Sequence, residues 1–304
     1  MTDSARRVAV LVNPHAGKGR GAEIGDAAIA HLRGRGAVVA DRRGQSASEA
    51  ASLLSELLAD LPDALVVVGG DGTLSALAES LVSDGAPPVV LVPAGTGNDL
   101  ARALGIPRDA PQAAAEAALS GSTRRIDVGA IAAADGVHLF LTIAALGFDA
   151  KVSERTNRLR YPRGRARYFL AIAIEVLRVR AMRFRLGLDG AEATDRPGTL
   201  IAIGNTASYG GGMPMCIGAD PSDGLLDVVH VAPLSPLRLI LLLPRLLAGT
   251  HLDRPEAQRQ RARVVEVSAP DLVVYADGER IAQGACQVSV RPGALTMLIP
   301  EGAA

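Results

Sequence analysis

The chain predicts an α/β domain followed by an all-β domain: a doubly wound nucleotide-binding unit, then a β-sandwich. Three observations predict this. Apolar β-branched runs alternate with helix-spaced runs over the first 125 residues. From Ile126 the pattern changes to short strands separated by turns. Glycine-containing loops follow three of the first-domain strands, where open parallel sheets bind their ligands.

The elements follow in order. "RVAVLVN" is a strand, and "GAEIGDAAIAHLRGRG" is helix-spaced and ends in glycines. "AVVADRR" is a second strand. "SASEAASLLSELLADL" opens with Ser46 and Glu49 at capping-box spacing and continues as a helix. "ALVVVGG" is apolar throughout, as a strand covered on both faces requires. A helix over "TLSALAESLVS" starting at Thr73, a strand "PVVLVPAG", and helices over "NDLARALGI" and "APQAAAEAALSG" complete the first domain. Beyond it, "RIDVGAIAA", "HLFLTIAALGF", "RFRLGLDGAEA", "GTLIAIGNT", "LLDVVHVAP", "ARVVEVSAP", "DLVVYADGER", "CQVSVRPG" and "ALTMLIP" are strands. Helices are expected at "ARYFLAIAIEVLRVR" and in the leucine-rich stretch from Pro236. The expected domains are 1–125, completed by 294–304 returning to the first sheet, and 126–293.

Composition excludes several classes. The 304 residues carry 32 basic and 32 acidic side chains, so no global field attracts nucleic acid or lipid. Cys216 and Cys286 make no disulfide framework, which fits a reducing cytoplasm. The N-terminus lacks a signal-peptide pattern. "LRLILLLPRLLAG" is shorter than the ~20 apolar residues a bilayer span needs and contains two arginines.

The three loops are "NPHAGKG" (Asn13–Gly19), "GGDGT" (Gly69–Thr73) and "PAGTGND" (Pro93–Asp99). They supply backbone N–H groups, and Asn13, Thr73, Thr96 and Asn98 add short polar side chains; together they suit a polyphosphate. No G-x-x-x-x-G-K-[ST] is present, nor a G-x-G-x-x-G in the first loop. A carboxylate at Asp71 would repel phosphate unless a divalent cation bridges the two, so Asp71 points to Mg²⁺–nucleotide, directly or through water. It also suits a helix N-cap.

These loops, with "GFDAKV" (Gly147–Val152), "GNTASYGGG" (Gly204–Gly212), "DPSDGLLD" (Asp220–Asp227) and "YADGE" (Tyr275–Glu279), resemble the bacterial diacylglycerol kinase family, relatives of sphingosine and ceramide kinases. The resemblance runs in order over nearly the whole chain. It implies an active site between the two domains, ATP as donor and a lipid hydroxyl as acceptor, with diacylglycerol converted to phosphatidic acid. Carried over by motif, Asn13, Pro14, His15, Ala16, Gly17, Gly69, Gly70, Asp71, Gly72, Thr73, Thr96, Gly97 and Asn98 bind ATP. It further implies a structural Mg²⁺ at Asp220, Asp223 and the Leu225 carbonyl, and a catalytic group of Asp71, Asp277 and Glu279, with Glu279 accepting the proton. Phosphoryl transfer needs such a base beside the hydroxyl. Read without the resemblance, Asp277-Gly278 equally suits a type I′ hairpin and "DPSDG" a simple turn.

The sequence departs from the family where Asp41 and Ser46 replace the usual threonine and histidine. Between Lys151 and Arg185, arginines 155, 158, 160, 163, 165, 167, 178, 180, 183 and 185 make a local basic field. It suits a solvated face pairing with local acids, or the anionic inner face of a membrane, placing a cytoplasmic protein at that surface. No nucleic-acid motif accompanies it. A kinase for sphingosine or ceramide, an NAD kinase, and a non-catalytic nucleotide- or lipid-binding relative are the alternatives.

Overall fold

In the computed structural model, which describes residues 5–162 and 165–302, the first apolar runs form a parallel sheet. Strands β1 (Arg7–Val12), β2 (Val38–Arg43), β3 (Ala64–Gly69) and β4 (Val89–Pro93) lie in the order β2-β1-β3-β4. β3 and β4 are buried along their whole length, as the unbroken valine and leucine runs require, whereas edge strand β2 has no buried residue. The helices of this unit are α1 (Ala16–Gly19), α2 (Gly21–Gly34), α3 (Ala47–Ala59), α4 (Asp71–Ala76), α5 (Ala78–Leu81), α6 (Asp99–Ala103) and α7 (Pro111–Ser120). α1 is a tight turn, with Gly17 and Lys18 left-handed.

Ser46 caps α3: its hydroxyl accepts from Glu49 N–H at 3.2 Å, while the Glu49 carboxylate reaches back one residue further, to Gln45 N–H at 2.7 Å. Asp41 is held by Arg33 at 2.8 Å. Both residues that break the family pattern therefore have local structural work. The expected single helix after β3 differs in two ways. It starts at Asp71 rather than Thr73, and it is interrupted at Leu77, where the bonding tightens to i→i+3 (Leu77 N–H to Leu74 at 3.1 Å, Ser80 N–H to Leu77 at 3.0 Å).

The chain divides into two compact units. The first runs to Ile126 and resumes at Gly293; the second is Asp127–Pro292. The divisions fall inside β5 (Ser122–Ala133) and β16 (Cys286–Ile299). β16 is one strand where two were expected, since Pro292 and Gly293 interrupt the apolar pattern without ending the strand. Its last residues join the first unit, with Met297 parallel to Val89 of β4.

The second unit contains β6 (Gly136–Phe140), β7 (Ile143–Gly147), α8 (Phe148–Arg158), α9 (Arg165–Val176), β8 (Met182–Leu188), β9 (Thr194–Gly198), β10 (Leu200–Gly204) and β11 (Leu226–Val231). Then come α10 (Pro236–Leu247), β12 (Ala257–Ala262), β13 (Val264–Ser268), β14 (Val273–Ala276) and β15 (Glu279–Gln283). A six-stranded antiparallel sheet has the order β12-β11-β10-β7-β14-β15. The start of β16, with β13, β8 and β9, forms the opposing layer, and β6 pairs with β5. Phe140 and Phe184 pack with Ile201, Ile203, Val265 and Val288 in the core drawn from both layers. On another face of the six-stranded sheet, α8, α9 and α10 contribute to two further apolar clusters. Neither α8 nor β12 is expected from sequence: α8 buries little beyond Asp149, Ala150 and Val152, and β12 is a polar edge strand.

Candidate active site

The three glycine loops follow β1, β3 and β4 and touch one another. Asn13 Nδ2 donates to Thr73 Oγ1 at 2.9 Å, and its Oδ1 accepts from His15 N–H at 3.0 Å. Gly17 has φ +58, and a Cβ there would lie 2.1 Å from the Ala94 carbonyl oxygen. Gly70 and Gly95 meet back to back: a Cβ on Gly95 would stand 2.6 Å from Gly70 Cα. Only glycine permits these approaches. The loops are thus one surface, with Gly72 and Thr96 exposed on it and Pro14, Ala16, Gly69 and Gly97 completing its backbone.

Asp71 joins two of the loops. Its carboxylate accepts from Asp99 N–H at 2.9 Å and Leu100 N–H at 3.0 Å, at the start of α6. The capping role weighed for Asp71 exists, but on the helix of the third loop. Asn98, left-handed at φ 54, donates to Gly95 O at 3.0 Å, while its buried Oδ1 has no hydrogen-bond partner among the described residues. An uncompensated acceptor suits a cation or a donor, and open glycine backbone suits phosphate, so the residues fit a Mg²⁺–nucleotide.

In the second unit, Asp277 (φ 50) and Gly278 (φ 87) form the left-handed pair of a type I′ turn between β14 and β15. The hairpin reading holds for the backbone, but the side chain is not idle. The Asp277 carboxylate accepts from Leu141 N–H at 2.8 Å, from Thr142 N–H at 2.9 Å and from the Thr142 hydroxyl. Asn157 of α8 donates to Gly278 O at 3.1 Å. Glu279, next along, pairs with Ala276 through its backbone, but its side chain is exposed and its carboxylate makes no hydrogen bond or ion pair among the described residues.

Three residues missed in the sequence reading brace this turn. Asn205, of the "GNT" motif, donates to Leu141 O at 3.0 Å and Asp127 O at 2.9 Å, and its N–H bonds Thr142 O at 2.8 Å. Asp127, only 2% exposed, accepts from Gly224 N–H at 2.7 Å. A chain of bonds therefore runs from Asp277 through Thr142 and Asn205 to Asp127 and the Asp220 loop. An acid inside the otherwise apolar "IDVGAIAA" was the signal available for Asp127.

In that loop, Asp220 accepts from Ser222 N–H at 3.0 Å, and Asp223 accepts from Leu225 N–H at 3.0 Å and pairs with Arg261. Among the described residues, no three His, Cys, Asp or Glu side chains are grouped to hold a metal ion. A cation bound by Asp220, Asp223 and the Leu225 carbonyl would compete with Arg261.

The arginine-rich segment is partly paired. Arg155 bonds Glu175, Arg158 meets Glu154 at 2.7 Å, Arg167 donates to Leu159 O at 3.3 Å, and Arg185 lies 3.9 Å from Asp195. Arg160, Arg178, Arg180 and Arg183 are exposed. Arg163 and the Arg165 side chain lie outside the described residues. Among the described residues no helix is long and apolar enough to cross a membrane.

Comparison with known proteins covers both units. Residues 7–131 match the diacylglycerol kinase catalytic domain, and residues 142–299 match the YegS C-terminal NAD kinase beta sandwich-like domain. The chain is 41% identical over 296 residues to a protein named "Diacylglycerol kinase" from Mycobacterium tuberculosis, covering 97% of this chain and 96% of that one. It is 36% identical to a "Probable lipid kinase YegS-like" from Pseudomonas aeruginosa, covering 94% and 93%. The fold is similar to the crystal structure of a diacylglycerol kinase from Bacillus anthracis (TM-score 0.72, 19% identity, 100% of both chains). It is also similar to an NAD kinase from Archaeoglobus fulgidus in complex with ATP (TM-score 0.54, 16% identity, 97% and 94%).

Proposed function

We infer the activity from a plain premise: this chain belongs to the family of diacylglycerol and YegS-like lipid kinases. It is a lipid kinase, a nucleotide-binding transferase. We propose that its acceptor is diacylglycerol and its product phosphatidic acid. One observation carries the mechanistic reading: of two acids on one turn, Asp277 is fixed by backbone N–H groups while Glu279 is exposed and unengaged.

The roles divide accordingly. Glu279 accepts the proton of the lipid hydroxyl as its oxygen attacks the γ-phosphorus. The bond from that phosphorus to the β–γ bridging oxygen breaks, and ADP leaves. Asp277 positions the turn. The three loops hold the nucleotide phosphates, and Asp71 keeps the second and third loops in register. Asp71 and Asn98 would hold Mg²⁺, directly or through water; when bound, it offsets phosphate charge. A second, structural Mg²⁺ at Asp220, Asp223 and Leu225 requires Arg261 to leave Asp223. The exposed arginines support a cytoplasmic site of action at the anionic inner face of the membrane.

The test is a labelled-ATP transfer assay against diacylglycerol, sphingosine, ceramide and NAD. Label in phosphatidic acid, at a rate exceeding every other acceptor, is the expected result. Preferential labelling of sphingosine or ceramide would move the acceptor to another lipid alcohol. No transfer to any of them would remove the catalytic reading.

A further inference from the structure

Two features of the second unit lie outside its catalytic turn. The outer face of the six-stranded sheet carries an apolar cavity at Leu200 and Val231, closed by α8, α9 and α10. The edge strand of the same sheet, β12, carries charge. Its sequence "AQRQRA" places Arg259 and Arg261 at alternate positions, hence on one face. Beside them lies a stretch of the reverse sign. Residues 218–229 hold Asp220, Asp223 and Asp227 and no lysine or arginine, so their charge must be balanced from elsewhere in the fold.

β12 pairs with β11 so that Arg261 stands directly across from Asp227, and Arg259 across from Val229. The two arginines hold different parts of the loop. The Arg259 guanidinium donates to the carboxylate of Asp227, which is 1% exposed, and to Gly218 O at 3.0 Å. It lies so close to Gly218 that a Cβ there would stand 3.0 Å from Nη1. The Arg261 guanidinium donates to Asp223 Oδ2, while Asp223 Oδ1 accepts from Leu225 N–H at 3.0 Å. Asp223 therefore offers a divalent ion no open carboxylate edge, and Mg²⁺, which dehydrates reluctantly, is poorly matched to it. Between these contacts Asp127 grips the same loop: its N–H donates to Pro221 O at 2.6 Å, and its carboxylate accepts from Gly224 N–H at 2.7 Å. The Asp127 carbonyl in turn receives Asn205, which leads through Thr142 to the catalytic turn.

We propose that Arg259 and Arg261 are the resident cations of this loop: their guanidinium groups hold residues 218–227 as a structural metal ion would, and the loop needs no divalent ion. This assigns to arginine the place that the family resemblance gives to a structural Mg²⁺ at Asp220, Asp223 and Leu225. A guanidinium stays charged at every physiological pH and is tethered to its strand, so the order of the loop does not depend on metal concentration. The larger share falls to Arg259, whose partner is buried, and the smaller to Arg261, whose partner is partly exposed. The assignment goes beyond the lipid-kinase reading and does not rest on it.

The experiment follows amide exchange of Gly224 and Leu225 by NMR in the full chain, without ATP or lipid, in EDTA and in millimolar Mg²⁺. The parent should give the same protection in both, within about 2-fold, because the loop takes up no ion. Arg261→Ala should speed exchange in EDTA by about 3-fold or more. Mg²⁺ should return that variant to within about 2-fold of the parent, since Asp223 can then take an ion. Arg259→Ala should speed exchange by about 100-fold or more, by stranding the buried Asp227 carboxylate. Where that variant does not fold, the Arg261 variant decides. A larger difference between EDTA and Mg²⁺ in the parent overturns the proposal. So does an Arg261→Ala loop that exchanges at the parental rate in EDTA, or one that stays fast in Mg²⁺. Neither ATP nor an acceptor takes part, so the outcome is read apart from the transfer assay. A metal-dependent loop leaves the kinase reading standing, and a chain that transfers no phosphate still reports on the arginines.

Discussion

The glycine loops of the first unit and the cavity of the second solve opposite problems. In the loops the ligand-facing groups are backbone, and side chains are removed so that chains can touch: Gly70 against Gly95, Gly17 against Ala94. In the cavity the lining groups are side chains, among them Leu239, Leu242 and Leu246 of α10. The two also treat acids differently. Asp71 has both carboxylate oxygens on backbone N–H groups, whereas the Asp149 carboxyl meets the hydroxyls of Tyr209 and Tyr168 and its buried Oδ2 has no hydrogen-bond partner among the described residues. The first arrangement ties two loops together; the second keeps a carboxyl buried among apolar side chains, where its charged form is disfavoured.

The sharpest way to break this contrast is to add one side chain to the loops. Gly95→Val places a branched side chain against Gly70 Cα and should abolish measurable ATP binding, as read by calorimetry, with the second unit still folded. A variant that binds ATP normally would mean the loops do not need their contact. Asp71→Ala removes two charge-assisted hydrogen bonds worth roughly 1.5–3 kcal/mol each, so kcat/KM should fall about 10²- to 10⁴-fold. Retention of near-parental activity would take Asp71 out of the account.

In the second unit the sign reverses, because a buried charge is being removed. The Asp149 carboxyl is raised from 3.8 to about 6, so its folded form holds the proton more tightly than the unfolded chain. That contribution to stability is complete below 3.8 and is lost as pH rises through about 6. Asp149→Asn should therefore match the parent near pH 4 and exceed it by up to about 3 kcal/mol at pH 8, by urea unfolding. A variant less stable than the parent at pH 8 would show that the carboxylate is satisfied in the folded protein. The smallest effect belongs to Ser46→Ala, a cap far from chemistry: about 1 kcal/mol of stability, with activity unchanged. A loss of turnover there would restore a functional role to the position where the family carries another residue.

The same contrast explains what could be read in the sequence. Glycine clusters after apolar strands and acids in turns are single-residue constraints, and they stand in the chain in order. The parallel strands and both helices around Ser46 and Pro111 follow from periodicity and caps. The bracing of Asp277 by Thr142 and Asn205 was not legible, because its partners are 135 and 64 positions apart. The cavity was not legible either: its leucines look like core, and only the fold shows that they enclose space. β16 looked like two strands because local turn chemistry at Pro292-Gly293 yields to the strands that continue on either side.

The central claim is that the unengaged acid of the β14–β15 turn, not its braced neighbour, accepts the lipid proton. The direct measurement is single-turnover transfer from ATP to diacylglycerol by Glu279→Gln, with ATP affinity and melting temperature recorded on the same preparation. The account predicts a loss of about 10²–10⁴-fold in transfer at parental ATP affinity and parental melting temperature. Transfer within about 3-fold of the parent would contradict it.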